Sequence, residues 1–192
     1  MARIPYPDPA GLPAIDREFL ANLPQLNISR LIAGSPSMFQ PLTRVFSAYL
    51  NDGVLSPELR EIVILRVGHR RESVYEVTNH ERAARVVGMS PERIKALAPG
   101  GDLNLFTEDE RKVIQFVDQV VLDGRPDDAT FSAVNAMMNA AEIIELTIVI
   151  GVYTMVSQIC ATFDVELEET PIADTGMEDI AKAVSRLSPG GA

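Results

Sequence analysis

From Leu146 to Phe163 the chain carries no charged residue, a run of 18 positions closed by Glu145 on one side and Asp164 on the other. Such a run is near the minimum length for a membrane-spanning helix. Thr147, Gly151, Thr154, Ser157, Gln158 and Thr162 dilute its apolar character, and acids flank both ends. The run therefore reads as a central helix covered on all sides, by its own domain or by neighbouring subunits. A helix of that kind needs other helices to pack on it.

The rest of the chain supplies them. Three segments open in the same style, at Ser35-Pro36, Ser56-Pro57-Glu58 and Ser90-Pro91-Glu92. Serine before proline is a strong helix start, because serine can cap free backbone N–H groups and proline tolerates the first helical position. Those starts predict helices over 36–51, 57–71 and 91–97, the first running on despite Pro41. Ser73 to Val87 reads as a further helix, closed by Gly88. Thr107 with Glu110 three residues later resembles a capping box and opens a helix to Leu122. Asp127 or Asp128 caps a helix to about Asn139, and the apolar helix follows from about Ala141.

No segment alternates with the period of a strand. Trp is absent and aromatics make up 6% of the 192 residues, so the core must be aliphatic. The fold class is all-α. Residues 1–28 form an extended arm with a short helix near Ile15–Leu23, because four prolines fall within the first thirteen residues. Residues 29–168 form the helical domain. Residues 169–192 form a C-terminal extension, with a short helix over Met177–Leu187 and a frayed tail.

Composition excludes several functions. The formal net charge is −10 and the longest basic run is His69-Arg70-Arg71, which argues against nucleic acid and against an anionic membrane surface. Cys160 is the only cysteine, so an intramolecular disulfide and a cysteine-rich metal site are both excluded. No metal or cofactor is expected. The opening residues carry no signal-like apolar stretch, and a reducing cytoplasm is the default compartment.

One constellation can carry chemistry. On a helical wheel Ser73, Glu76, His80, Ala83, Ala84 and Val87 share a face, and its far half is small and apolar. That face should point inward, which places Glu76 and His80 one turn apart at the edge of the core. Glu61 lies in the preceding helix within the run Leu59-Arg60-Glu61-Ile62-Val63-Ile64-Leu65. A short connection near Arg71-Glu72 lets the two helices pack antiparallel, with Glu61 opposite the Glu76–His80 turn. Two carboxylates and one imidazole in a dry cleft make a proton relay. A structural ion pair is the competing reading, since Glu and His at i, i+4 pair readily and Glu61 can also pair with Arg60 or Arg66.

These residues carry a family resemblance. Leu55-Ser56-Pro57-Glu58-Leu59-Arg60-Glu61-Ile62-Val63-Ile64-Leu65-Arg66-Val67, then Val74-Tyr75-Glu76-Val77-Thr78-Asn79-His80, resembles the carboxymuconolactone decarboxylase family, which includes alkylhydroperoxidase D-like proteins. Glu145 to Tyr153 adds a second match, and the similarity spans roughly residues 30–168. The peroxidase branch has a glutamate, eleven residues, a Cys-x-x-Cys pair, three residues and a histidine. Here Glu61 and His80 fall on the outer two, while Ser73 and Glu76 stand where the cysteines would be. A thiol–disulfide cycle needs both thiols, so paired-cysteine peroxidase chemistry is disfavoured.

The resemblance implies a compact multi-helix subunit in an obligate oligomer, a trimer or hexamer, with a site lined by helices of adjoining subunits. It implies a cofactor-independent lyase acting on a small carboxylated lactone or a related intermediate of aromatic catabolism. His80 would be the general acid/base, with Glu76 and Glu61 orienting it. Tyr75, His69, Tyr153 and Ser73 are the candidate substrate-binding residues. His69 shares a face with Glu61 two turns away, but exposure beside Arg70 fits it equally. Arg66 reads as a salt bridge on the helix surface, and Cys160 as core. A non-catalytic helical oligomer that binds a small ligand is the alternative function.

Overall fold

The structure is a computed structural model, and it describes residues 2–169. Among the described residues there are nine α-helices and no strand. They are α1 (Ala14–Asn22), α2 (Asn27–Ile32), α3 (Pro36–Asn51), α4 (Pro57–Arg70), α5 (Val74–Val86), α6 (Pro91–Ala96), α7 (Glu108–Asp123), α8 (Asp128–Asn135) and α9 (Ala140–Phe163). The C-terminal helix expected at Met177–Leu187 and the tail beyond it lie outside the described residues. The described residues divide into two compact units, one running to Gly53 and including 162–169, the other Val54–Ala161.

The first unit holds α1, α2 and α3. Its core gathers Leu12, Phe19, Leu20, Leu23, Ala33 and Phe39. The Phe19 and Phe39 rings meet edge to face at 5.4 Å, a favoured aromatic geometry. The proline-rich segment ahead of α1 includes a 3-10 turn at Pro9–Gly11, and it is tied down. The Arg3 N–H donates to the Phe163 carbonyl at 2.8 Å, and the Tyr6 hydroxyl donates to Glu166 at 3.0 Å. Helix α3 starts at Pro36 as predicted, but Ser35 holds it by its carbonyl, which accepts from Met38 and Phe39, and not by its hydroxyl.

The second unit is built around α4. Every residue from Arg60 to Gly68 is buried, so this helix is enclosed all round, with α5 and α7 packed against it. Ser56, Ser73 and Ser90 each cap their helix with the side-chain oxygen, and Thr107 and Glu110 complete a capping box on α7. Gly68 faces α5, where an added Cβ would stand 3.2 Å from Val77. The missing side chain therefore lets α4 and α5 approach closely.

Two expectations change. Helix α8 ends at Asn135, short of Asn139. Asn139 instead opens α9: its side chain accepts from the N–H groups of Ala141 and Glu142 at 2.9 and 3.1 Å, and its own N–H donates to Glu142. Helix α9 is buried along one face, through Ile143, Leu146, Val149, Ile150, Val152, Tyr153, Val156, Ser157 and Cys160. Its other face is open within the chain, with Ile144 61% and Ile148 49% exposed. By length and composition α9 is the one described helix that could cross a membrane, and 39% of its most apolar window is buried inside the chain.

Candidate active site

Helices α4 and α5 are antiparallel, joined by a turn in which Glu72 takes a positive φ of 53°. The turn sets the register that brings Glu61 opposite His80. The Nδ1 of His80 lies 2.7 Å from Glu61 Oε2. A carboxylate only accepts, so this contact holds a proton on Nδ1. On the other side of the ring, Nε2 is 3.7 Å from Glu76 Oε2. That is an ion-pair distance and too long for a hydrogen bond. The trio is buried, with Glu61 1%, Glu76 4% and His80 6% exposed.

Charge decides the protonation of the ring. Burial is the strongest single influence on His80 and disfavours the imidazolium. The Glu61 carboxylate opposes it by charge and by hydrogen bond, and Glu76 adds its charge; together they outweigh burial and a smaller opposing effect from Arg60. The net result is a His80 pKa raised above the ordinary 6.5. The imidazolium is thus pinned at Nδ1, while Nε2 makes no hydrogen bond among the described residues.

Helix α9 closes the site. The Tyr153 ring meets the His80 ring edge to face, with centroids 4.9 Å apart. The Cys160 thiol donates to Glu76 Oε1 at 3.8 Å, a sulfur hydrogen bond. Cys160 is buried, as its reading as core required, but its sulfur faces the site and not an apolar neighbour. Seven residues make almost two full helical turns, so Tyr153 and Cys160 share a face. That spacing was the available signal. Arg60 is the other functional neighbour that sequence reasoning missed: its charge is felt at His80 although it stands next to Glu61 in the chain and a helical step of about 100° away.

The remaining candidates divide. Ser73 is buried at the start of α5, where its hydroxyl accepts from the Glu76 N–H at 3.5 Å. Tyr75 is buried in the first turn of the same helix. His69 stands apart from the trio. It is half-buried, and its charged neighbours are Glu81 and Arg66. Burial lowers its pKa, with Arg66 acting in the same direction and Glu81 against it. Its Nε2 is buried without a hydrogen-bond partner among the described residues. Arg66 forms the expected salt bridge, but in the interior and not on the surface. It is 4% exposed, grips Asp118 with two bonds of 2.7 Å and donates to the Leu97 carbonyl. Among the described residues no group of three or more His, Cys, Asp or Glu side chains is arranged to hold a metal ion.

Residues 36–119 match the carboxymuconolactone decarboxylase family. The fold resembles the alkylhydroperoxidase AhpD core of an uncharacterized peroxidase-related protein from Ralstonia eutropha JMP134, with a TM-score of 0.76 and 18% identity over 88% of this chain and 93% of that one. It also resembles a peroxidase-related protein from Silicibacter sp. TM1040, with a TM-score of 0.73 and 16% identity over 87% and 91%. A protein of unknown function from Agrobacterium tumefaciens matches with a TM-score of 0.64 and 22% identity over 72% and 96%. At these identities the likeness speaks for the fold alone. No curated protein matches the chain. Residues 36–119 thus resemble the carboxymuconolactone decarboxylase family, and they are carried on an AhpD-like all-helical fold.

Proposed function

We propose that the protein is a cofactor-independent lyase that decarboxylates a small carboxylated lactone or a related intermediate of aromatic catabolism, with His80 as the general acid. The observation that carries this reading is the asymmetry of the His80 ring. Glu61 fixes Nδ1 at 2.7 Å, and Nε2 is left without a hydrogen bond beside Glu76. The raised pKa favours the doubly protonated ring, whose Nε2–H is the proton an acid would give up.

The step balances simply. The bond from the ring carbon to the carboxylate breaks and CO₂ leaves. The electron pair stays on carbon and spreads into the lactone carbonyl as an enolate. Nε2–H then delivers the proton to carbon, and solvent restores it. Glu61 keeps the imidazole oriented throughout. Ser73 and Glu76 cannot run the thiol–disulfide cycle that a cysteine pair would support.

The same reading has further copies of the chain covering the open face of α9, as a trimer or hexamer in a reducing cytoplasm. The exposure of the apolar Ile144 and Ile148 on that face favours it. Incubating the purified chain with carboxylated butenolides should release CO₂, and His80→Ala should slow that release by about 10²- to 10⁴-fold. Equal turnover by the two proteins would sink the proposal. A ligand-dependent rise in melting temperature with no product would point instead to a binding protein.

A further inference from the structure

Helix α9 carries a buried hydroxyl that the reaction above does not use. Ser157 is 2% exposed, and its Oγ has no hydrogen-bond partner among the described residues. A buried hydroxyl without a partner costs about 1–3 kcal/mol, so folded proteins seldom keep one without a reason. A helical hydroxyl has an easy remedy, which is to bond the carbonyl four residues back. Thr147 does this on the same helix, bonding the Ile143 carbonyl at 2.8 Å, and Thr43 does it on α3. The Ser157 hydroxyl makes no such bond.

Its place on the helix shows where the missing partner belongs. Ser157 lies one turn after Tyr153 and one turn before Cys160, on the face that those two present to the site. Tyr153 meets the His80 ring, and the Cys160 thiol bonds Glu76. The hydroxyl between them therefore belongs to the wall opposite the α4–α5 carboxylates. Glu61 and Glu76 can only accept hydrogen bonds when ionised, so they offer nothing to a ligand oxygen. A ligand rich in oxygen needs donors from another side.

We propose that Ser157 is a ligand-binding residue of this site, and that its hydroxyl donates to the ring carbonyl oxygen of a bound lactone. The inference rests on the lactone reading given above and adds a specificity determinant to it. Because that oxygen gathers charge as CO₂ leaves, the bond strengthens as the enolate forms.

The test uses the full chain and two probes, 5-oxotetrahydrofuran-2-carboxylate and tetrahydrofuran-2-carboxylate, which differ in the ring carbonyl. In Ser157→Ala the first probe should bind about five- to tenfold more weakly, while the second binds as it does to wild type. The ligand-free melting temperature should stay the same or rise, because an unsatisfied polar group has been removed. A fall of several degrees would make the hydroxyl a structural one and overturn the inference. Unchanged affinity for the first probe would overturn it too, and would leave the lyase reading standing if turnover persists. If wild type binds neither probe and turns over no lactone, both readings fail together.

Discussion

Helix α4 carries two buried charge clusters, and they are built on opposite plans. Towards α7, Arg66 and Arg70 each grip Asp118 with two bonds of 2.6–2.7 Å, and Arg66 also reaches the carbonyls of Leu97 and Ala98. Both Asp118 oxygens are used twice. Towards α5, His80 has one tight partner at 2.7 Å and one loose one at 3.7 Å. The first cluster is saturated and fixes helices; the second leaves a ring nitrogen free. Both clusters place charge in the interior, with Arg66 4% and His80 6% exposed, so burial of charge alone does not mark a reactive site. What marks it is an unsatisfied position, and that depends on distances.

The largest effect expected from breaking this contrast is on stability. Asp118→Ala leaves a buried guanidinium without its counter-charge, and loss of one partner of a buried pair costs about 3–5 kcal/mol. Arg66 keeps two carbonyls and Arg70 is partly exposed, so the lower end, about 3 kcal/mol, is expected in urea unfolding. The titration of His80 should not move. Were it to shift, the two clusters would be coupled and the contrast would fail.

Glu61→Gln tests the other cluster. It keeps the shape and a weaker hydrogen bond but removes the charge that most favours the imidazolium. The His80 pKa, followed by NMR of the ring protons, should fall. Turnover should drop about ten- to hundredfold, corresponding to the loss of one charge-assisted bond of about 1.5–3 kcal/mol. A normal titration curve in this variant would show that Glu61 does not hold the ring.

The clusters also respond to pH from opposite ends. The Asp118 carboxyl resists burial, which would raise its pKa; hydrogen bonds and charge from Arg70 and Arg66 hold it below the ordinary 3.8. Its contribution to stability is complete above 3.8 and is lost as pH falls through the folded value. For His80 the folded pKa lies above 6.5, so its contribution is complete below 6.5 and is lost as pH rises through the folded value. Unfolding free energy should therefore plateau between these limits. Asp118→Asn should remove part of the acid slope, and Glu61→Gln part of the alkaline slope. Exchange of those two effects would refute the assignment.

The sequence was most legible where local chemistry decides. Ser56, Ser73, Ser90 and Thr107 cap the helices that their spacing announced. The face Ser73, Glu76, His80, Ala83 and Ala84 is buried as its period required. Glu61 meets His80 because a turn this short leaves α4 and α5 little choice of register. Legibility failed where a residue's partner lies far along the chain. Nothing local told Arg66 that Asp118 would draw it inward across 52 positions, or told Cys160 that its thiol would find Glu76 across 84. Asn139 was misplaced for a different reason: the same side chain suits a helix end and a helix start, and only its bonds to Ala141 and Glu142 distinguish them.

The smallest expected effect isolates the turn that joins the two plans. Glu72 sits at φ 53°, where a side chain costs about 1–2 kcal/mol that glycine avoids. Glycine also loses more entropy on folding, about 0.5–1 kcal/mol. Glu72→Gly should thus gain about 0–1.5 kcal/mol in urea unfolding, from the difference between those two terms. Glu72 is exposed and bonds the His69 carbonyl only through its backbone, which glycine keeps. Neither cluster should change, so the His80 titration and the turnover should match wild type. A shifted titration would mean that the turn sets more than register: strain at Glu72 would then be holding Glu61 against the ring, and the geometry of the relay would originate in the connection between the helices.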